Sequence, residues 1–210
     1  MRAYLLIISL VFVMVQGDCL YAQSSKTAVK SATKSKDGAK DSTKKDAETL
    51  KKVRLDEGSW GDLKKYVAKQ KGKVVVVDLW ATSCLPCMKE FPHLVELSKK
   101  HPKRVVCVSF SCDYYGVASK PPSHYRPNVE KFLKKKKATF KNFLSTTASD
   151  DLFEKIDLAS IPAVLVFGPD GKLAKRFDND ELEDDEDPFS YKKHITPLVE
   201  KLAKKVVVKK

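Results

Sequence analysis

An α/β fold, a layered sandwich in which helices flank a central mixed β-sheet, is what this 210-residue sequence predicts. Three observations predict it. The valine run 74–77 reads as a strand buried on both faces, 104–111 (RVVCVSFS) as a second, and 163–167 (AVLVF) as a third. Segments with helical spacing separate these strands. The turn Gly168-Pro169-Asp170-Gly171 then leads into 172–177 as an antiparallel hairpin partner, and a closing helix follows.

The chain begins with a segment that stands apart from the fold. Arg2 precedes thirteen uncharged, mostly apolar residues, 3–15, enough for the apolar core of an export signal and short for a membrane span. Residues 1–22 are therefore read as a signal peptide, with cleavage after Gly17 or Ala22. An uncleaved anchor is the alternative, and Gly17-Asp18 before Cys19 makes a poor lipidation site. Residues 23–46 carry seven Lys and three Asp with almost nothing apolar to bury, which reads as a disordered basic linker. Contact with an anionic lipid or wall polymer is its functional alternative. The expected location is the periplasm or cell envelope, soluble after cleavage or membrane-tethered if uncleaved. The net charge of +13 is unchanged by cleavage after Ala22, because Arg2 and Asp18 cancel.

The folded part is expected over 47–205, with 206–210 a frayed tail. Residues 47–55 suggest a short strand or helix. Ser59-Trp60-Gly61-Asp62 has the form of a capping box, and Leu63, Tyr66 and Val67 give one apolar face to a helix ending near Gln70. The valine strand ends in Asp78, Leu79 and Trp80. After a short turn, Cys84-Leu85-Pro86-Cys87 opens a helix that Phe91, Leu94, Val95 and Leu97 carry to about His101, with Pro92 inside it as a kink. Residues 113–127 are turn-rich, Asn128 caps a short helix through the lysines 134–137, and 139–144 adds a strand. Residues 150–156 make a short helix. An acidic loop, 178–187, holds eight carboxylates, and a final helix spans about 191–205.

A Cys-x-x-Cys at a strand-to-helix junction places a dithiol where helix N–H groups stabilise a thiolate. Residues 77–81 (VDLWA), followed by Cys84, Pro86, Cys87 and Pro92, resemble thioredoxin. So do Ile161-Pro162 before a strand and the Gly168–Lys172 turn. The export signal and the extra helix and strand before Ile161 resemble the exported TlpA/ResA-type thiol–disulfide oxidoreductases within the thioredoxin-like superfamily. The resemblance implies a thioredoxin-like three-layer sandwich over 47–205. It implies that Cys84 attacks a substrate disulfide, that Cys87 resolves the mixed disulfide, and that Asp78 is a buried acid assisting Cys87. Burial at the end of an apolar strand independently raises that acid's pKa and makes it a usable proton acceptor. Pro162, expected cis, faces Cys84 and holds the backbone of Ile161 open to an extended substrate. Trp80 is expected beside the site. Ser83, Leu85 and Pro86 form the substrate-facing rim.

The sequence departs from that pattern at Ser83, where many relatives carry Trp, and at Leu85-Pro86 in place of Gly-Pro. The absence of His between the cysteines points to a reductant or isomerase-pathway role. Disulfide- or dithiol-containing envelope proteins and a membrane electron donor or acceptor are the expected partners, with no cofactor and no metal. A zinc site lacks a second close Cys pair. Cys107 and Cys112 lie roughly 16 Å apart if the strand is extended, too far to bond. Cys107 reads as core, and Cys112 as buried and inert or as a third redox thiol. The four His are scattered, and the acidic loop lacks calcium-loop spacing. Without a nucleic-acid motif the lysine runs do not suggest nucleic acid. Two alternatives remain. A thiol peroxidase needs Thr where Ala81 stands, and a copper(I)-handling envelope protein would use the soft thiolates without a neighbouring Met or His.

Overall fold

The computed structural model describes residues 53–179 and 188–207. The signal peptide, the basic linker, the first residues of the expected domain, most of the acidic loop and the last three residues of the tail lie outside the described residues. Within them, six strands form one mixed sheet in the order β1-β4-β3-β2-β5-β6. These are β1 (Asp56–Gly58), β2 (Val74–Trp80), β3 (Val105–Ser111), β4 (Lys141–Ser145), β5 (Ala163–Phe167) and β6 (Leu173–Phe177). Strands β1, β4, β3 and β2 are parallel, and β5 is antiparallel to both of its neighbours.

Every residue of β2 is buried, as its unbroken apolar run requires of a central strand. The period of two divides its side chains between layers. Val75, Val77 and Leu79 meet α1 (Trp60–Ala68) and α4 (Ser149–Ile156) through Leu63, Val67 and Leu152. On the opposite face Val74, Val76 and Trp80 meet α2 (Leu85–Lys100), α3 (Pro122–Lys136) and α5 (Thr196–Ala203) through Phe91, Leu94, Leu133 and Val199. Asp78 falls in step with that second set, so the alternation that buries Trp80 also buries a carboxylate.

The cap of α1 is the one the sequence indicates. Ser59 and Asp62 exchange both capping-box hydrogen bonds at the start of α1. Helix α2 runs through Pro92, which cannot donate to the carbonyl of Met88. The β5–β6 turn closes with the Gly171 N–H on the Gly168 carbonyl at 2.9 Å, and Gly171 takes a φ of 80° that favours glycine. The final helix begins as a π-helical turn, Tyr191–Ile195, before becoming α5.

Two elements differ from expectation. Strand β1 lies at Asp56–Gly58, just beyond the stretch 47–55 expected to form a strand or helix, of which the described residues 53–55 form neither. Helix α3 starts at Pro122, six residues before Asn128. Pro121 caps it in an extended conformation and Pro122 occupies the first turn, where a missing N–H costs nothing. The prolines that suggest a loop are therefore the entry of a helix, held by Val129 and Leu133 in the core.

Candidate redox site

The turn Ala81–Ser83 carries the chain from the end of β2 to Cys84, which is the N-cap of α2 with an extended backbone. The Cys87 N–H donates to the Cys84 sulfur at 3.3 Å. That amide and the positive end of the helix lie where a Cys84 thiolate would form, and both favour the charged sulfur. The two cysteines are joined as a disulfide with Cα atoms 5.3 Å apart. The pair is asymmetric: Cys84 is half-buried, whereas Cys87 is 2% exposed. Of this pair, therefore, Cys84 is the sulfur open to an incoming sulfur.

The Ile161–Pro162 peptide is cis, as expected, and the Ile161 carbonyl lies 3.9 Å from the Cys84 sulfur. Both residues are half-buried. Ser83, Leu85 and Pro86 are exposed, Leu85 at 65%. The fold thus brings Cys84, Ser83, Leu85, Pro86, Ile161 and Pro162 to one edge of the sheet. Trp80 is not among them. It is wholly buried, with ring centroids 5.0 Å from Phe91 and 4.6 Å from Phe132, and the expectation that it borders the substrate is corrected to a core role.

Asp78 is 3% exposed and accepts a hydrogen bond from the Tyr191 hydroxyl at 2.6 Å. Burial pushes its carboxyl up to about 7, against the lowering effect of the Tyr191 bond and with a further push from the Glu90 charge. Burial likewise drives the Tyr191 phenol well above its ordinary range, with Asp78 adding to the effect. A carboxyl that titrates near neutrality, on the strand that leads to the dithiol, can take and return a proton at working pH.

Cys107 and Cys112 are unbonded and buried, and burial pushes both thiols far above the ordinary range. This favours an inert Cys112 over a third redox thiol. Among the described residues no group of His, Cys, Asp and Glu could hold a metal ion.

Sequence reasoning missed four residues. Buried Asp113 anchors the approach to the dithiol: it accepts from the Thr82 N–H at 2.9 Å and from the Thr82 hydroxyl, and Ser111 donates to its other oxygen at 2.6 Å. Tyr115 lies on the loop after β3 with its hydroxyl 2.8 Å from the Ser83 hydroxyl, and it is 47% exposed. It restores an aromatic surface beside the residue that lacks one. Its loop is held in place by the Ser149 N–H on the Tyr114 carbonyl at 2.8 Å and by an edge-on contact with Tyr125 at 5.5 Å. Glu90, one turn beyond Cys87, and Tyr191 complete the set. No local pattern marks Tyr115 or Tyr191; the spacing of Glu90 from Cys87 is the one signal available.

A family model described as Redoxin matches residues 34–193. Curated relatives include the thiol-disulfide oxidoreductase ResA of Bacillus thuringiensis subsp. konkukian, 25% identical over 128 residues, which cover 60% of this chain and 66% of the relative. ResA of Bacillus subtilis is 27% identical over 105 residues, covering 50% and 52%. The chain therefore matches between about half and just under two thirds of these relatives' length. Similar solved structures include the thioredoxin domain of a thiol-disulfide oxidoreductase from Bacteroides vulgatus, with a TM-score of 0.44, 22% identity and coverage of 67% and 84%. A thiol:disulfide interchange protein from Bacteroides sp. has a TM-score of 0.47, 22% identity and coverage of 68% and 78%.

Proposed function

Because the chain belongs to the Redoxin family, we propose that it is a thiol–disulfide oxidoreductase that passes two electrons from a Cys84/Cys87 dithiol to disulfides of other proteins. The observation that supports this most is the asymmetry of the pair: a reachable sulfur at a helix N-terminus, bonded to a buried one. In the reduced protein the Cys84 thiolate attacks a substrate disulfide and expels one substrate thiolate. Cys87, losing its proton to Asp78, then attacks the Cys84 sulfur and expels the second. The products are a Cys84–Cys87 disulfide and a substrate dithiol. A donor dithiol must return two electrons before the next cycle.

Pro162 and the Ile161 backbone hold an extended substrate segment against Cys84, and Ser83, Leu85 and Pro86 meet its flanking residues. The leader-like residues 1–22 support export to the periplasm or cell envelope, where disulfides persist and a membrane electron donor would be required. Among the described residues no helix is long and apolar enough to cross a membrane.

Insulin reduction with dithiothreitol as donor tests the reading. Cys84→Ser is expected to lose the catalysed rate entirely, and equal activity of variant and wild type would overturn it. Tyr115 gives a finer expectation. Tyr115→Ala removes an exposed aromatic contact worth about 1 kcal/mol, so the KM for insulin is expected to rise about fivefold. Its rate with a small aromatic disulfide should not change. An unaltered KM removes Tyr115 from the rim.

A further inference from the structure

We propose that Tyr191, at the start of the C-terminal π-helical turn, is the positioning residue for the proton acceptor: its hydroxyl holds the Asp78 carboxylate, and its backbone N–H ties that pair to Glu90 on the redox helix. The inference rests on the thiol–disulfide exchange reading of Cys84 and Cys87.

Two hydrogen bonds carry it. The Tyr191 hydroxyl donates to Asp78 Oδ2 at 2.6 Å, and the Tyr191 N–H donates to Glu90 Oε2 at 2.8 Å. One residue, 113 positions from Asp78 and 101 from Glu90, therefore joins the central strand to the helix that bears both cysteines. The tie is rigid. Tyr191 is 1% exposed, and Ser190 caps the turn by accepting from the Lys193 N–H at 3.2 Å. The turn is widened by one residue, with the Thr196 N–H on the Tyr191 carbonyl, a geometry frequent at functional sites.

The groups around Asp78 give the bond its purpose. Glu90 acts on it from α2, Tyr191 bonds it from the C-terminal turn, and the charge of Asp78 is felt by Cys107 of β3 and by Cys112 just beyond that strand. Among these none is a cation. Burial and Glu90 both favour the protonated acid, and a protonated acid cannot accept the Cys87 proton. The Tyr191 hydroxyl opposes them by donating to the charged form. Its own proton is held firmly, because burial and Asp78 raise the phenol well above its ordinary range. Tyr191 is thus a fixed donor and not a proton relay.

The test follows the Asp78 carboxyl by carbon NMR in wild type, Tyr191→Phe and Glu90→Gln, together with the pH dependence of mixed-disulfide resolution. Tyr191→Phe keeps the ring and loses the donor, so the Asp78 titration and the resolution limb are expected to move up by about one to two pH units. Glu90→Gln removes the like charge while leaving an acceptor for the Tyr191 N–H, so both should move down. Packing alone gives no such opposed pair. An Asp78 titration that stays in place in Tyr191→Phe, or fails to fall in Glu90→Gln, overturns the inference. Should Tyr191→Phe not fold, the Tyr191 ring carbon that bears the hydroxyl is followed in wild type instead: a shift that tracks the Asp78 titration upholds the bond, and one that ignores it overturns the inference. Titration shifts without Cys84-dependent insulin reduction would uphold the hold of Tyr191 on Asp78 and remove the exchange reading instead.

Discussion

Asp78→Asn is expected to slow the resolving step by about 10²-fold at pH 7, the typical worth of a positioned proton acceptor, and at the same time to stabilise the protein above neutrality. The second effect follows from linkage. The folded-state carboxyl titrates near 7 against an ordinary value of 3.8. Between those values the folded protein keeps a proton that the unfolded chain has released. Stability therefore falls as pH rises through that window, by about 4 kcal/mol in all, and falls no further above it. Asn at position 78 does not titrate and still accepts from Tyr191. The variant's advantage should be absent near pH 4 and full at pH 8. Urea unfolding of the two oxidised proteins at those pH values measures it; an equal difference at both would mean that Asp78 is not the buried acid described here.

Sequence patterns expose what is local. The valine run, the Ser59–Asp62 box, the Gly168–Gly171 turn and the Cys84–Cys87 junction are encoded within a few residues, and each stands in the structure where the pattern puts it. The remainder of the site is made by contacts across the sheet. Thr82 meets Asp113 across 31 residues, Ser83 meets Tyr115 across 32, and Asp78 meets Tyr191 across 113. No periodicity or spacing signals such meetings. The start of α3 was obscured for another reason: Pro121 and Pro122 break a helix in its interior but suit its first turn, and only the burial of Val129 and Leu133 decides between the two. Trp80 was legible yet misplaced. Proximity to Cys84 suggests the rim, whereas its step with Val74 and Val76 sends it into the core.

That placement has a large consequence for stability. Trp80 joins Phe91 of the redox helix to Phe132 of α3, whose rings are themselves 5.1 Å apart. Trp80→Ala empties the centre of this cluster and is expected to cost about 3–5 kcal/mol. Trp80→Phe should cost much less. It keeps an aromatic ring in the cluster and removes a buried indole N–H that has no acceptor among the described residues, so the lost packing is partly offset. Because Trp80 is wholly buried, Trp80→Phe should leave the KM for insulin unchanged even as the urea midpoint falls. The two variants separate core from rim. A raised KM in Trp80→Phe at wild-type stability would return Trp80 to the substrate surface. A lowered midpoint at wild-type KM makes it the support on which the first turns of α2, and with them Cys84 and Cys87, are held.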